Sequence, residues 1–150
     1  MAKSLKGSGK RNAWNMLSRY VRIRDCLATT NFPFAGRCIT CGKKVHITAL
    51  AAGHLFAGRT NAKLFPDDDR VIRAQCVICN EIFHGKPKKF RKALEIEHGV
   101  ELVEKWERDS KKVIHDNELD FDAIAQKYKE KYLGLLRDAG YRDYDDHRNS

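Results

Sequence analysis

The sequence has no long apolar run. Nothing in its 150 residues approaches the roughly 18 consecutive apolar residues of a membrane-spanning helix, so no membrane-spanning segment is expected. The opening stretch MAKSLKGSGKR has no apolar segment of the kind that a secretory signal carries. Five cysteines without such a signal argue against a secreted disulfide scaffold, because a reducing cytosol keeps thiols free; a cytoplasmic protein is expected. No internal repeat is visible. Negative charge is scarce at the start, where Asp25 is the lone acid among the first 37 residues.

What is present is positive charge. Lys and Arg number 29 against 20 Asp and Glu, a net charge of +9, with an isoelectric point near 9.4. Residues 1–37 carry +7, residues 38–80 carry +3 and residues 81–150 carry −1. The near-neutral tail still holds a local basic run, Lys86, Lys88, Lys89, Arg91 and Lys92. A clustered excess of this kind suits a polyanion, since each cation near a phosphate releases condensed counterions. It suits a solvated, solubilising surface as well. With 42% hydrophobic residues the chain has enough for a modest core.

Residues 1–12 are rich in Lys, Gly and Ser and are expected to form a disordered basic arm. The spacing of Trp14, Leu17, Tyr20 and Val21 predicts a helix from Ala13 to about Leu27, broken by the run Thr29 to Pro33. A knuckle-like turn at 37–42 leads into short strand-like runs ending near Phe56. A polar loop spans 57–70, and Gln75–His84 looks like the entry to a helix stopped by Gly85 and Pro87. Helical patterns cover Lys88–His98, Val100 to about Val113 and Phe121–Ala139. Asp120 or Asn117 can cap the last of these, and a polar tail follows from 141.

Two pairs, Cys38-x2-Cys41 and Cys76-x2-Cys79, have the spacing of a structural zinc site. Four thiolate ligands leave no open coordination position, so this metal would hold structure. Cys26 has no partner at usable spacing and reads as a buried small hydrophobe. Between and after the pairs lie His54, Asn80 and His84. Asn80 and His84, four apart, would share one face of a helix, with His54 arriving from a strand. A neutral imidazole there can take a proton from water near neutral pH, and a divalent ion can contact a scissile phosphate. A packing histidine and a capping asparagine are the plainer alternatives.

Arg37-Cys38-Ile39-Thr40-Cys41-Gly42, Ala52-Gly53-His54 and Gln75-Cys76-Val77-Ile78-Cys79-Asn80 together resemble the zinc-bearing HNH (ββα-metal) endonucleases. More closely they resemble the NinG (Rap) recombination endonucleases of lambda-like phages. Tyr20-Val21-Arg22-Ile23-Arg24-Asp25, Lys88-Lys89-Phe90 through Leu94, His98-Gly99 and Phe121–Leu136 extend the likeness over roughly residues 14–136. The resemblance implies an α+β fold, with a small zinc-stabilised ββα-metal core at 37–90. A basic helix and linker at 13–36 and C-terminal helices at 91–140 would flank that core.

The same resemblance implies a metal-dependent endonuclease acting on branched DNA such as Holliday junctions or D-loops in phage recombination, as a homodimer in the host cytoplasm. His54 would be the general base, and Asn80 and His84 would bind catalytic Mg²⁺ or Mn²⁺. Gly53 stands where HNH enzymes usually place an acid or histidine ligand, and Val71 where they place an orienting Asn. Asp68 and Asp69 are the nearest carboxylates, and Asp69 is the candidate to complete the shell. Arg19, Arg22, Arg24, Arg59, Lys86, Lys88, Lys89, Arg91 and Lys92 are the candidate DNA contacts. A nuclease of linear duplex, or a non-catalytic zinc-containing DNA-binding module, are the competing expectations.

Overall fold

The computed structural model describes residues 2–58 and 60–141, with side chains from residue 9 onward. Helix α1 covers Ala2–Thr30, so the segment expected to be a disordered arm is helical from residue 2. Glycine and serine disfavour helix locally, but tertiary contact overrides them. Lys10 pairs with Asp116 at 3.1 Å, and the backbone at Gly9 runs close against Phe121 and Asp122. At the other end Asn31 takes a left-handed conformation (φ 59°) and its N–H returns to Leu27 O, ending the helix. The Thr30 hydroxyl donates to Ala35 O at 2.6 Å, which turns the chain into the first strand.

Strands β1 (Ala35–Arg37) and β2 (Lys44–His46) form one small antiparallel sheet, with Gly36 opposite Val45. Strands β3 (Leu50–His54) and β4 (Ile72–Cys76) form a second, also antiparallel, in which His54 is opposite Ile72 and Leu50 opposite Cys76. A short helix α2 (Asn61–Leu64) lies in the connection between them. After β4 come helices α3 (Pro87–His98), α4 (Val100–Ser110) and α5 (Phe121–Asp138). Of the two possible caps for α5, Asp120 is the one used: its carboxylate accepts from Ala123 N at 3.0 Å. The architecture is α+β, helices around two small antiparallel sheets. No described helix is long and apolar enough to cross a membrane.

Helix α1 packs against α5 and against the β3–β4 hairpin. Ala13, Leu17 and Val21 are buried from α1, Ala125, Tyr128, Tyr132 and Leu136 from α5, and Ile72 and Ala74 from β4. α1 and α5 run in the same direction: Gly9 lies by Asp122, Tyr20 by Tyr128, and Phe34, beyond α1, by Tyr141. Cys26 is fully buried, and a Cβ at Gly36 would sit 2.8 Å from its sulfur, so β1 can lie this close only with glycine there. Burial pushes the Cys26 thiol up to about 12, which keeps it inert.

Asp25 ties the hairpin to α1. Its buried carboxylate accepts from Arg24 Nε (2.9 Å), Arg73 Nε (3.2 Å) and the Ala74 amide (2.7 Å). Arg73 also pairs with Glu97 of α3, so one charge network spans α1, β4 and α3.

Candidate functional site

The turn between β1 and β2 carries Cys38 and Cys41. It is closed by Cys38 N donating to Lys43 O and Gly42 N to Cys38 O, with Gly42 left-handed (φ 74°). Ile39 N donates to Ala74 O, which joins this turn to β4, at whose end Cys76 stands. In both pairs the second cysteine's amide donates to the first one's sulfur at 3.5 Å. All four Sγ atoms lie within 4.8 Å of one another, and Cys41 and Cys76 are 3.9 Å apart. Zn–S bonds of about 2.3 Å in a tetrahedron separate sulfurs by about 3.8 Å, so the cluster fits zinc. Burial raises the Cys38 thiol, but the Thr40 hydroxyl at 3.2 Å and nearby amides outweigh it and bring Cys38 down to about 6. A thiolate, the form that binds metal, is favoured there.

Gln75, fully buried, links the parts of this region. Its Nε2 donates to Thr40 Oγ1 in the first cysteine turn (3.0 Å) and to Gly85 O beyond the second pair (2.8 Å). Its Oε1 then faces Gly53: a Cβ on Gly53 would lie 2.8 Å from that oxygen and 3.1 Å from Phe90 Cε2. The space that a ligand side chain at position 53 would occupy is thus filled by Gln75 and Phe90. That accounts physically for glycine at this position.

His54, the next residue along β3, points to the opposite face of the hairpin by strand alternation. Its ring stacks on Trp14 of α1, centroids 4.8 Å apart and planes 21° from parallel. Its Nε2 is buried without a hydrogen-bond partner, and burial lowers its pKa to about 4, so the imidazole is neutral at pH 7. The ring borders a cavity of about 40 Å³ shared with Phe56, Phe65, Asp68, Val71 and Trp106. Val71 therefore lines the same cavity as His54, although it offers no polar side chain.

The i and i+4 relation expected of Asn80 and His84 does not form. Ile78–Ile82 is a single wide π-turn, closed by Phe83 N to Ile78 O, and His84 is left-handed (φ 54°). The turn that brings Cys79 back toward Cys76 leaves no regular helix to align those two side chains. The adjoining Gly85 is tied to Gln75 on the Gly53 face, away from the His54 ring, and among the described residues no hydrogen bond, ion pair or ring contact joins Asn80 or His84 to His54.

Asp69 is committed elsewhere. Its carboxylate takes Arg24 at 3.3 Å, the Tyr128 hydroxyl at 3.0 Å and Lys131 at 3.8 Å, pinning the loop before β4 to α1 and α5. A carboxylate held by three such partners is not placed as a catalytic-ion ligand. Asp68 is bound by Arg70 and by the Trp106 indole N–H (3.1 Å). Among the described residues, the four cysteines are the single group of three or more His, Cys, Asp or Glu close enough to share a metal.

The candidate DNA contacts divide. Arg24 faces inward, bonded to Asp25, Asp69 and Ile72 O (2.6 Å), and so clamps α1 to the hairpin. Arg91 pairs with Glu95 and Glu107, Arg19 bonds the Tyr132 hydroxyl at 3.4 Å, and Arg22 Nε donates to Ser18 O. Lys88, Lys89 and Lys92 are exposed and Lys86 half-exposed. Arg59 lies outside the described residues. The sequence did not single out Trp14, and Gln75 only as part of a motif. A polar residue directly before a cysteine pair was the signal available for Gln75.

The family model described as NinG: Bacteriophage Lambda NinG protein matches residues 3–138. No curated protein and no solved structure matches the chain.

Proposed function

The chain belongs to the NinG family, and from that premise we propose that it is a zinc-stabilised endonuclease that cuts branched DNA, such as Holliday junctions or D-loops. Membership of the family points to a phage recombination-related role; cleavage is the finer step. One observation carries it: His54 ends β3 of an antiparallel hairpin whose other strand, β4, runs into the four-cysteine cluster. The β3–β4–α3 order with the cysteine pairs around it supports the HNH arrangement that the sequence resemblance implies.

Cys38, Cys41, Cys76 and Cys79 would hold the zinc, which supplies rigidity to the hairpin and the turn after it. Gln75 fixes that turn and Trp14 fixes the His54 ring. In the hydrolysis, the oxygen of a water attacks phosphorus and the bond to the 3′-oxygen breaks. The water's proton would pass to the His54 imidazole. The Mg²⁺ or Mn²⁺ expected in such an enzyme has no gathered ligand set among the described residues. Gly53 cannot supply a ligand, and Asp69 is engaged.

That misfit favours a second reading, a zinc-containing DNA-binding module without catalysis. Cleavage of a symmetric junction needs two active sites, so the nuclease reading carries a homodimer with it. The test is purified zinc-loaded protein incubated with a four-way junction, a flap and a linear duplex, with Mg²⁺ or Mn²⁺ at matched salt. Cutting of the branched substrates ahead of duplex supports the proposal. Failure to cut any of them overturns it.

A further inference from the structure

The turn after the second cysteine pair exposes apolar surface next in sequence to the local basic run at Lys86–Lys92. Ile78 is 50% exposed, Ile82 65% and Phe83 52%, although all three stand within a few residues of the buried Cys79. Between Ile78 and Lys92 the sequence holds five basic residues and one acid, Glu81. Lys86 Nζ lies 4.8 Å from the Phe83 ring centroid, and among the described residues no carboxylate forms an ion pair with Lys86, Lys88, Lys89 or Lys92. An exposed apolar tip with a lysine on its aromatic ring, followed in sequence by exposed lysines, does not match a purely apolar partner. It matches a ligand with flat apolar faces and a flanking anionic backbone, which is nucleic acid with unstacked bases.

The backbone holds this tip in a strained shape. His84, Gly85 and Lys86 are left-handed in succession (φ 54°, 84° and 44°), a conformation that the two non-glycine residues adopt at a cost. It persists because Gly85 N donates to Cys79 O (2.8 Å), Gly85 O accepts from buried Gln75, and Lys86 O accepts from Phe90 N (2.9 Å). The tip is therefore presented by the cysteine turn and by Gln75, not left to a loose loop.

We propose that Ile82 and Phe83 form a wedge that enters DNA at a branch point, with Lys86, Lys88 and Lys89 on the adjoining phosphates, and that this wedge separates branched from linear DNA. The physical basis is the cost of opening a stack. A linear duplex must be unstacked to admit a side chain, whereas a branch point already exposes base faces. This inference rests on the DNA-binding half of the nuclease reading and not on cleavage.

The test is fluorescence anisotropy, without added divalent ion, on a labelled four-way junction and a linear duplex of the same arm sequence. The paired substitution Ile82→Ser with Phe83→Ser, checked for unchanged zinc content, lowers junction affinity about tenfold and leaves duplex affinity unchanged. The pair Lys88→Ala with Lys89→Ala weakens both substrates and flattens their salt dependence. An independent readout uses the wild-type protein: 2-aminopurine at the branch brightens on binding as its stacking is lost.

Equal junction affinity in the Ser pair, an equal loss on both substrates, or no brightening with wild type overturns the inference. So does conversion of a wild-type dimer to monomer by the Ser pair, which would make the tip a contact between copies. A wild type that binds neither DNA removes the nuclease reading along with the wedge. A wild type that binds junctions while the Ser pair changes nothing removes the wedge alone.

Discussion

Adding a single methyl group at Gly53 tests whether the hairpin face is closed to a metal ligand. The new Cβ would lie 2.8 Å from Gln75 Oε1, 3.2 Å from Gln75 Cβ and 3.1 Å from Phe90 Cε2. Gln75 and Phe90 are both fully buried, and Gln75 is held at its far end by Thr40 and Gly85, so neither can retreat cheaply. Gly53 is not left-handed, so the cost of Gly53→Ala is steric. Overpacking of this kind costs about 1–3 kcal/mol, and the smaller unfolded-state entropy of alanine returns about 0.4–1 kcal/mol. The net loss is about 1–2 kcal/mol, a fall in Tm of about 2–8 °C for a chain of this size. Gly53→Asp loses about 1–3 kcal/mol more, because its carboxylate meets a carbonyl oxygen and gains no donor. Urea denaturation of the zinc-loaded proteins measures both. A double cycle with Phe90→Leu should recover at least about 0.5 kcal/mol of the alanine loss. An alanine variant as stable as the wild type, or an aspartate variant that folds normally and gains a divalent-ion site, would refute the packing argument.

Three further outcomes are expected. Asp25→Ala leaves Arg24, Arg73 and the Ala74 amide without their shared acceptor and costs about 3–5 kcal/mol in urea denaturation; a loss under about 1 kcal/mol contradicts the role given to that carboxylate. His54 is half-buried and neutral, with a folded pKa near 4 against 6.5 in the unfolded chain, so the unfolded state binds more protons between those values. Stability is then full above about pH 6.5 and falls by up to about 3 kcal/mol as pH drops toward 4. Denaturation at pH 7 and pH 4.5 shows this slope in the wild type and its loss in His54→Gln. Metal analysis should find one zinc per chain, lost in Cys41→Ser and on strong chelation, with a lower melting temperature; full stability without metal contradicts the cluster's role.

The parts of this molecule that sequence made legible are those fixed by local spacing. The two cysteine pairs converge as their separation implied, and α3 and α5 follow their apolar periodicity to within a residue or two. Other features depend on partners far along the chain. α1 begins at Ala2 rather than Ala13, and Gly9 and Lys10 meet Phe121, Asp122 and Asp116, more than 100 residues away in sequence. β4 was not anticipated: four of its five residues are buried, so the alternation that marks a half-exposed strand is missing. Asn80 and His84 lose their helical register to a π-turn and a left-handed run, held by Gln75 from the strand before them. Arg24 and Asp69 each looked available for function, and no local pattern announces that they pair across 45 residues.

The central claim, that His54 serves as the base of DNA cleavage, is tested most directly by one comparison. Wild type and His54→Ala, matched for zinc content and junction affinity, are assayed for single-turnover cleavage of a four-way junction with Mg²⁺ or Mn²⁺. The account predicts that the wild type cuts and that His54→Ala binds equally but cuts at least about a hundredfold more slowly. Cleavage by His54→Ala at the wild-type rate, or a wild type that binds the junction and leaves it intact, contradicts it.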